Sequence, residues 1–178
     1  MSDRYDYSGL AVLIVDSNPF WTRLLNSILG CMRIESTRNC ASAIEAWKEL
    51  QTWTPDVIFV DLAGEEIDSL RFIRGIRRRD NPARCCPIIL TSNVAGAAIV
   101  KRARNAGADY TVAKPFSVQV IYRALAALRD SERAFVEASR YYGPDRRRRT
   151  RSFIGDDRRA ENPPAASDTT SAAVRAVG

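Results

Sequence analysis

At 178 residues, 46% of them apolar, the chain accommodates one domain of ordinary size with length to spare. It contains no histidine, which excludes a histidine base, a histidine metal ligand and a histidine phospho-donor. Of the net charge of +6, +4 lies in residues 139–178, where nine arginines and no lysine stand against five acids; an all-arginine excess points to an anionic partner.

No apolar run is long enough to span a membrane, and the opening MSDRYDYSGL is charged and polar, unlike a signal peptide. A cytoplasmic protein is expected. Cys31, Cys40, Cys85 and Cys86 form no C-x-x-C pair, and adjacent Cys85 and Cys86 are awkward to bridge. They read as small apolar residues in a reducing compartment.

The first element is the continuous apolar run Leu10 to Val15, as in a strand buried on both faces. It stops at Asp16. Asn18 and Pro19 then suit a helix cap and first helical turn, and Phe20, Leu24, Leu25 and Ile28 recur at helical spacing up to Gly30. Met32 to Thr37 reads as a second strand and Ala43 to Leu50 as a second helix with Ile44, Trp47 and Leu50 on one face. Val57 to Val60 is another apolar run, ending at Asp61. The third helix directs Ile67, Leu70, Ile73 and Ile76 inward and Arg74, Arg77, Arg78 and Arg79 outward. Pro87 to Thr91 is a fourth strand, Ala95 to Ala106 a fourth helix, and Asp109 to Ala113 a fifth strand. The last helix starts near Ser117, carries Ile121, Leu125 and Leu128, and is expected to continue to about Ser139. Trp21, Trp47 and Trp53 read as core or helix-packing residues.

Strands alternating with helices predict an α/β, doubly wound, five-stranded parallel sheet. Such sheets gather their chemistry at the carboxyl ends of the strands. Here those ends carry Asp16, Asp61, Thr91 and Lys114. The motifs VLIVDSNP, PDVIFVDL, PIILTS and GADYTVAKPF resemble the receiver domain of bacterial two-component response regulators, the CheY-like fold, over residues 8 to about 130. The resemblance implies that Asp61 is the phosphoryl acceptor, Asp16 an acid-pocket residue, Thr91 the switch hydroxyl and Lys114 the phosphoryl-contacting lysine. It also implies a cis peptide before Pro115, a Mg²⁺ held by Asp16 and Asp61, and a sensor histidine kinase as partner. Two positions depart from the family pattern. Ser17 stands where a second acid usually ligates Mg²⁺, which weakens the metal site. Thr111 stands where an aromatic switch residue is usual, with Tyr110 one position too early. Asp61 therefore has two readings, a phosphorylated aspartate or a retained acid in a scaffold domain.

The most informative stretch is YYGPDRRRRTRSFIGDDRR, residues 141–159. Tyr141-Tyr142-Gly143-Pro144-Asp145-Arg146-Arg147 repeats twelve residues later as Phe153-Ile154-Gly155-Asp156-Asp157-Arg158-Arg159. Arginine reaches guanine O6 and N7 in a bidentate pair, aspartate accepts from the other guanine edge, and an aromatic ring stacks on a base. The spare arginines, Arg148, Arg149 and Arg151, suit phosphates, and glycine allows close backbone approach. Two guanine readers with phosphate clamps fit cyclic di-GMP. The stretch resembles the arginine-rich segment of the Cle proteins, CheY-like cyclic di-GMP effectors, and the resemblance implies action on the flagellar motor switch. Arg147, Arg151, Ser152 and Gly155 give a fainter likeness to the PilZ cyclic di-GMP pattern, which Thr150 interrupts. The competing reading is a solvated basic extension that binds nucleic acid. The two aspartates repel nucleic acid and count against it.

The expected organisation is a receiver over residues 8–138, an arginine-rich segment over 139–160, disordered when free, and a disordered end over 161–178. The expected activity is that of a binding module rather than an enzyme, cytoplasmic and recruited to the flagellar pole. The alternative is a regulator driven by phosphorylation of Asp61 whose basic tail binds nucleic acid or another anionic partner.

Overall fold

The computed structural model describes residues 6–62, 66–78, 80–129, 135–138 and 141–144. Five strands, β1 (Ala11–Val15), β2 (Ser36–Cys40), β3 (Val57–Asp61), β4 (Ile88–Ser92) and β5 (Tyr110–Ala113), form one parallel sheet in the order β2-β1-β3-β4-β5. Between and after them run α1 (Pro19–Cys31), α2 (Ala43–Thr52), α3 (Glu66–Ile76), α4 (Ala97–Ala106) and α5 (Val118–Arg129). The expected doubly wound fold is present.

The strand sequences explain the two layers. In β1, β3 and β4 nearly every residue is buried, because helices cover both faces. Alternation then sorts the side chains. Leu13, Val15, Ile58, Val60, Ile88 and Leu90 point toward α2, α3 and α4, where they meet Ala46, Leu50, Leu70, Ile73, Ile76 and Ala103. Val12, Ile14, Val57, Phe59, Ile89 and Val112 face α1 and α5, meeting Leu25, Ile28, Leu29, Ile121 and Leu125.

Local signals set the starts of α1 and α2. The Asn18 carboxamide oxygen accepts the Phe20 N–H at 2.9 Å, with Pro19 in the first turn. Ser42 Oγ accepts the Glu45 N–H at 3.2 Å while Glu45 reaches back to the Ala41 N–H at 2.8 Å. The end of α1 departs from expectation. Gly30 lies inside the helix, and the left-handed residue beyond it is Arg33, at φ 63°. The Ile34 and Arg33 N–H groups close the turn onto the Leu29 and Gly30 carbonyls, a glycine-type terminus built with arginine.

Three further expectations are corrected. The second strand is Ser36–Cys40, not Met32 to Thr37. It is a polar edge strand in which only Cys40 is buried, and its ladder to β1 (Ala11↔Ser36 through Val15↔Cys40) defines it rather than its own hydrophobicity. The last helix ends at Arg129 and does not continue to Ser139. Phe135–Ala138 is instead a strand, β6, paired antiparallel with β7 (Tyr141–Pro144). Phe135 and Val136 are residue types that favour strands. Finally, Arg77 does not point outward. It is buried, at 4% exposure.

Arg77 organises the amino-terminal end of the sheet. Its guanidinium donates to the carbonyls of Gly107 (3.0 Å), Arg84 (2.7 Å) and Cys86 (2.7 Å) and to Asp109 Oδ2 (2.7 Å). Asp109 Oδ2 also accepts the Ile88 N–H at 2.8 Å. One side chain thus ties the end of α3 to the start of β4, the end of α4 and the start of β5. Gly107 makes room for it. Its φ of 110° suits glycine, and a Cβ there would lie 2.7 Å from Arg77 Cγ.

None of the four cysteines is in a disulfide; Cys31 and Cys85 are exposed, Cys40 and Cys86 buried. Burial pushes the Cys86 thiol up to about 12 and the Cys40 thiol up to about 11, so neither is a thiolate at neutral pH. No helix among the described residues is long and apolar enough to cross a membrane.

The buried Arg77–Asp109 pair carries a stability prediction. Arg77→Ala strands the Asp109 carboxylate and three carbonyls, and the expected cost is about 3–5 kcal/mol in urea unfolding. Arg77→Lys recovers only part of this, because a point charge does not span four acceptors.

Candidate functional site

The parallel registers bring four polar side chains to one end of the sheet. Asp61 ends β3 beside Thr91 in the β3–β4 ladder, Asp16 directly follows β1, and Lys114 directly follows β5. The polypeptide turns sharply here. The Leu62 N–H bonds the Thr91 carbonyl at 2.7 Å, the Lys114 N–H bonds the Ser92 carbonyl at 2.8 Å, and the Lys114–Pro115 peptide is cis, as expected.

These residues form one hydrogen-bonded cluster. Lys114 Nζ lies 2.8 Å from Asp16 Oδ2 and 2.8 Å from Asp61 Oδ1, with the lysine side chain only 1% exposed. Thr91 Oγ1 donates to Asp61 Oδ1 at 3.2 Å. Asp16 Oδ1 accepts the Asn18 N–H at 2.8 Å. Three of the four carboxylate oxygens are therefore engaged. The fourth, Asp61 Oδ2, is buried and has no hydrogen-bond partner among the described residues. A buried, unsatisfied carboxylate oxygen beside an ammonium suits two roles: a nucleophile toward an electrophilic phosphorus, or a ligand to a hard cation.

Burial holds the Asp61 carboxyl above its ordinary value of 3.8; Lys114 pulls it back down, Asp16 pushes it up and Thr91 pulls it down. The cluster opens onto a cleft of about 510 Å³ between α2 and α3, lined among others by Ser17, Ser42, Trp47, Asp68 and Arg71.

Asp16 and Asp61 are the residues able to hold a divalent cation. Among the described residues no group of three or more acids, cysteines or histidines converges on one point. Ser17 contributes a hydroxyl where a carboxylate would complete such a group. Two carboxylates suffice for Mg²⁺, which keeps several waters, so the donor set fits a weakly held ion.

The sequence reading missed two contributors. Ser69 Oγ donates to the Asp61 carbonyl at 2.7 Å and pins the first turns of α3 to the end of β3. Trp21 lies with its ring centroid 4.9 Å from Lys114 Nζ. A tryptophan six residues past the end of β1 was a readable signal, because α1 starts at the same sheet end as the acids. At β5, Thr111 is half-buried and Tyr110 packs into the cluster on the α1–α5 side.

Of the predicted nucleotide-binding residues, Tyr141, Tyr142 and Gly143 fall in β7, where they pair with Ala138, Glu137 and Val136. The expectation of disorder is corrected for these residues, since a strand partner supplies their backbone bonds. Asp145, Arg146, Arg147, Arg148, Arg149, Arg151, Phe153, Gly155, Asp157, Arg158 and Arg159 lie outside the described residues, as does the end over 161–178.

Comparison with known proteins places this geometry. The family model for the response regulator receiver domain matches residues 12–126. The chemotaxis protein CheY of Thermotoga maritima is 32% identical over 120 residues, covering 66% of this chain and 95% of that protein. CheY of Bacillus subtilis is 30% identical over 117 residues, covering 64% and 92%. Among solved structures, a putative response regulator from Chloroflexus aurantiacus matches with a TM-score of 0.61 at 26% identity, over 67% of this chain and 98% of that one. The receiver domain of a sensor histidine kinase from Pseudomonas aeruginosa, with a magnesium ion coordinated in its active-site cleft, matches with a TM-score of 0.61 at 25% identity, over 69% and 99%.

The raised Asp61 carboxyl sets a pH dependence. The folded state holds this proton more tightly than the unfolded state, so ionising Asp61 weakens the fold as pH rises from about 4 through the raised folded value. In Asp61→Asn this loss is absent. The stability of the Asn variant relative to the parent should therefore climb over that interval and level off above it, as read from urea midpoints at a series of pH values.

Proposed function

The chain belongs to the response regulator receiver domain family, and on that premise we propose that it is a CheY-like regulator whose input is cyclic di-GMP, captured by residues 141–159. The proposed output is a change in a protein contact at the flagellar motor switch, which controls motility or surface attachment. The observation that carries this reading is the in-register repeat of aromatic, glycine, aspartate and paired arginines twelve residues apart. Each copy combines a ring to stack, a carboxylate for the guanine N1–N2 edge and a guanidinium for O6 and N7. The remaining arginines neutralise phosphates. A chain recruited by arginine to any polyanion has no use for Asp145 and Asp157. The relatives are named chemotaxis proteins, which supports a motility output and a cytoplasmic protein acting at the flagellar pole. On this reading the chain binds and signals rather than catalysing a reaction, does not span a membrane and does not bind nucleic acid.

Calorimetric titration tests the input. Intact protein should bind cyclic di-GMP, and the Asp145→Ala, Asp157→Ala double variant should lose at least about tenfold in affinity, since discrimination by a good bidentate base contact is worth about 1–3 kcal/mol. No binding by the intact chain, or binding indifferent to both aspartates and erased by salt, would leave only a nonspecific polycation.

A second reading draws on the unsatisfied Asp61 Oδ2, buried beside Lys114 and Thr91. Asp61 would accept a phosphoryl group from a sensor histidine kinase. Lys114 and Thr91 would receive the transferred oxygens, and a Mg²⁺ held by Asp16 and Asp61 would supply charge neutralisation. The magnesium-bound relative supports the metal. Ser17 sets the test. Ser17→Asp adds a carboxylate to the cation site and should tighten Mg²⁺ on the order of tenfold or more, as each gain of about 1.4 kcal/mol is a factor of ten. Asp61 labelling by a small phosphoryl donor should rise in parallel. Rapid labelling of the Ser17 parent, unchanged in Ser17→Asp, would show that two carboxylates already meet the demand.

A further inference from the structure

Lys114 carries a charged head that the two carboxylates contact from one side. Its side chain is 1% exposed, so something other than water must cover the remainder. Trp21 supplies part of that cover. Its ring centroid is 4.9 Å from Lys114 Nζ, within the range of a cation over an aromatic face. The ring is itself held in place. It packs against Phe116 at 5.6 Å between centroids, two residues past the lysine, and against Phe20 edge-on at 5.0 Å. Phe116 is buried and Phe20 is 57% exposed, so the aromatic row runs from the interior to the surface of α1.

We infer that Trp21 is a positioning residue for the pocket: its ring face holds the Lys114 ammonium against Asp16 and Asp61. The chemistry favours this division of labour. An ammonium has three donors. Two are taken by Asp16 Oδ2 and Asp61 Oδ1, and an aromatic face attracts the rest of the charge without demanding a further carboxylate. Ser17, the residue beside Asp16, is neutral and exposed, so the ring stands in for charge that the neighbouring position does not supply. The same contact keeps bulk water off the lysine, which strengthens both ion pairs. The inference does not depend on whether Asp61 is phosphorylated, because it concerns the lysine's placement before any ligand arrives.

A double-mutant cycle in the full chain tests it. Trp21→Leu removes the ring face but keeps an apolar filler; Lys114→Met removes the charge but keeps the stem. Each single variant and the double variant are unfolded in urea. Trp21→Leu should lower the folding equilibrium constant about fivefold or more beyond what it does in the Lys114→Met background, in line with a desolvated cation–π contact. Trp21→Phe, which retains a ring face, should recover most of the coupling. Equal losses from Trp21→Leu in both backgrounds would show a residue that merely fills space and would overturn the inference. A second measurement stands even where a variant fails to fold. In the intact chain the Lys114 ε-methylene protons should be displaced upfield by the Trp21 ring current, and ε-methylene protons at ordinary lysine positions would overturn the inference by themselves.

Discussion

A buried ammonium must be neutralised by groups that the fold delivers to it, and in this chain that requirement joins elements that are far apart in sequence. Lys114 reaches Asp16 across ninety-eight positions and Asp61 from a different strand, so the cluster exists only when β1, β3 and β5 are in register. The sheet order supplies that register. With β1 and β3 adjacent and β4 beside β3, the carboxyl ends of three parallel strands and the turn after β5 meet on one edge. β1 and β3 are apolar runs that give way to an aspartate at or just past their ends, β4 turns polar at Thr91, and Lys114 directly follows β5. The hydrophobic layers fix the strands, and the strands present the charges.

The opposite end of the sheet solves the same problem in another way. Arg77 is a buried cation, but its partners are mostly backbone carbonyls, with Asp109 as its charged partner. Four of its five planar donors meet fixed acceptors, which makes a rigid joint. The Lys114 cluster leaves one carboxylate oxygen without a partner among the described residues. A guanidinium held by several fixed acceptors suits structure, whereas a lysine point charge between two acids with a spare oxygen suits a site that must accept something. The two ends thus differ in how completely their polar groups are satisfied, and that difference separates the functional end from the structural one.

Much of this was readable from the chain. The continuous runs of β1, β3 and β4 and the punctuation after them announced a parallel sheet and located Asp16, Asp61, Thr91 and Lys114. What was not readable depended on tertiary context. β2 is a strand because β1 offers it a ladder, so its polar sequence concealed it and drew the expected strand toward the more apolar Met32 and Ile34. Arg77 resembles its neighbours Arg74 and Arg78 in sequence, and only the space beside Gly107 and the carboxylate of Asp109 draw it inward. Trp21 fits a helix-packing pattern equally well whether or not a cation lies across its face. Helical spacing after Ser117 gave no stop at Arg129, because the pairing of Phe135–Ala138 with Tyr141–Pro144 is a nonlocal choice.

The pocket's charge bears on how its carboxylates are held together. Two carboxyl groups face one ammonium in the cluster of Asp16, Asp61 and Lys114, a formal charge of −1 when both carboxyls are ionised. A second acid beside Asp16 would double it, and a doubly negative buried pocket relies on a divalent cation to relieve the repulsion. With Ser17 the lysine meets most of that demand from within the chain, aided by the Trp21 face. The receiver can therefore hold its carboxylates close together before any metal binds. Metal entry must then compete for oxygens that Lys114 and the Asn18 N–H already engage, with Asp61 Oδ2 the one left open among the described residues. An acid pocket largely satisfied from within the chain is held together without a bound ligand. The net positive charge of the chain is concentrated elsewhere, in the arginines beyond Tyr141.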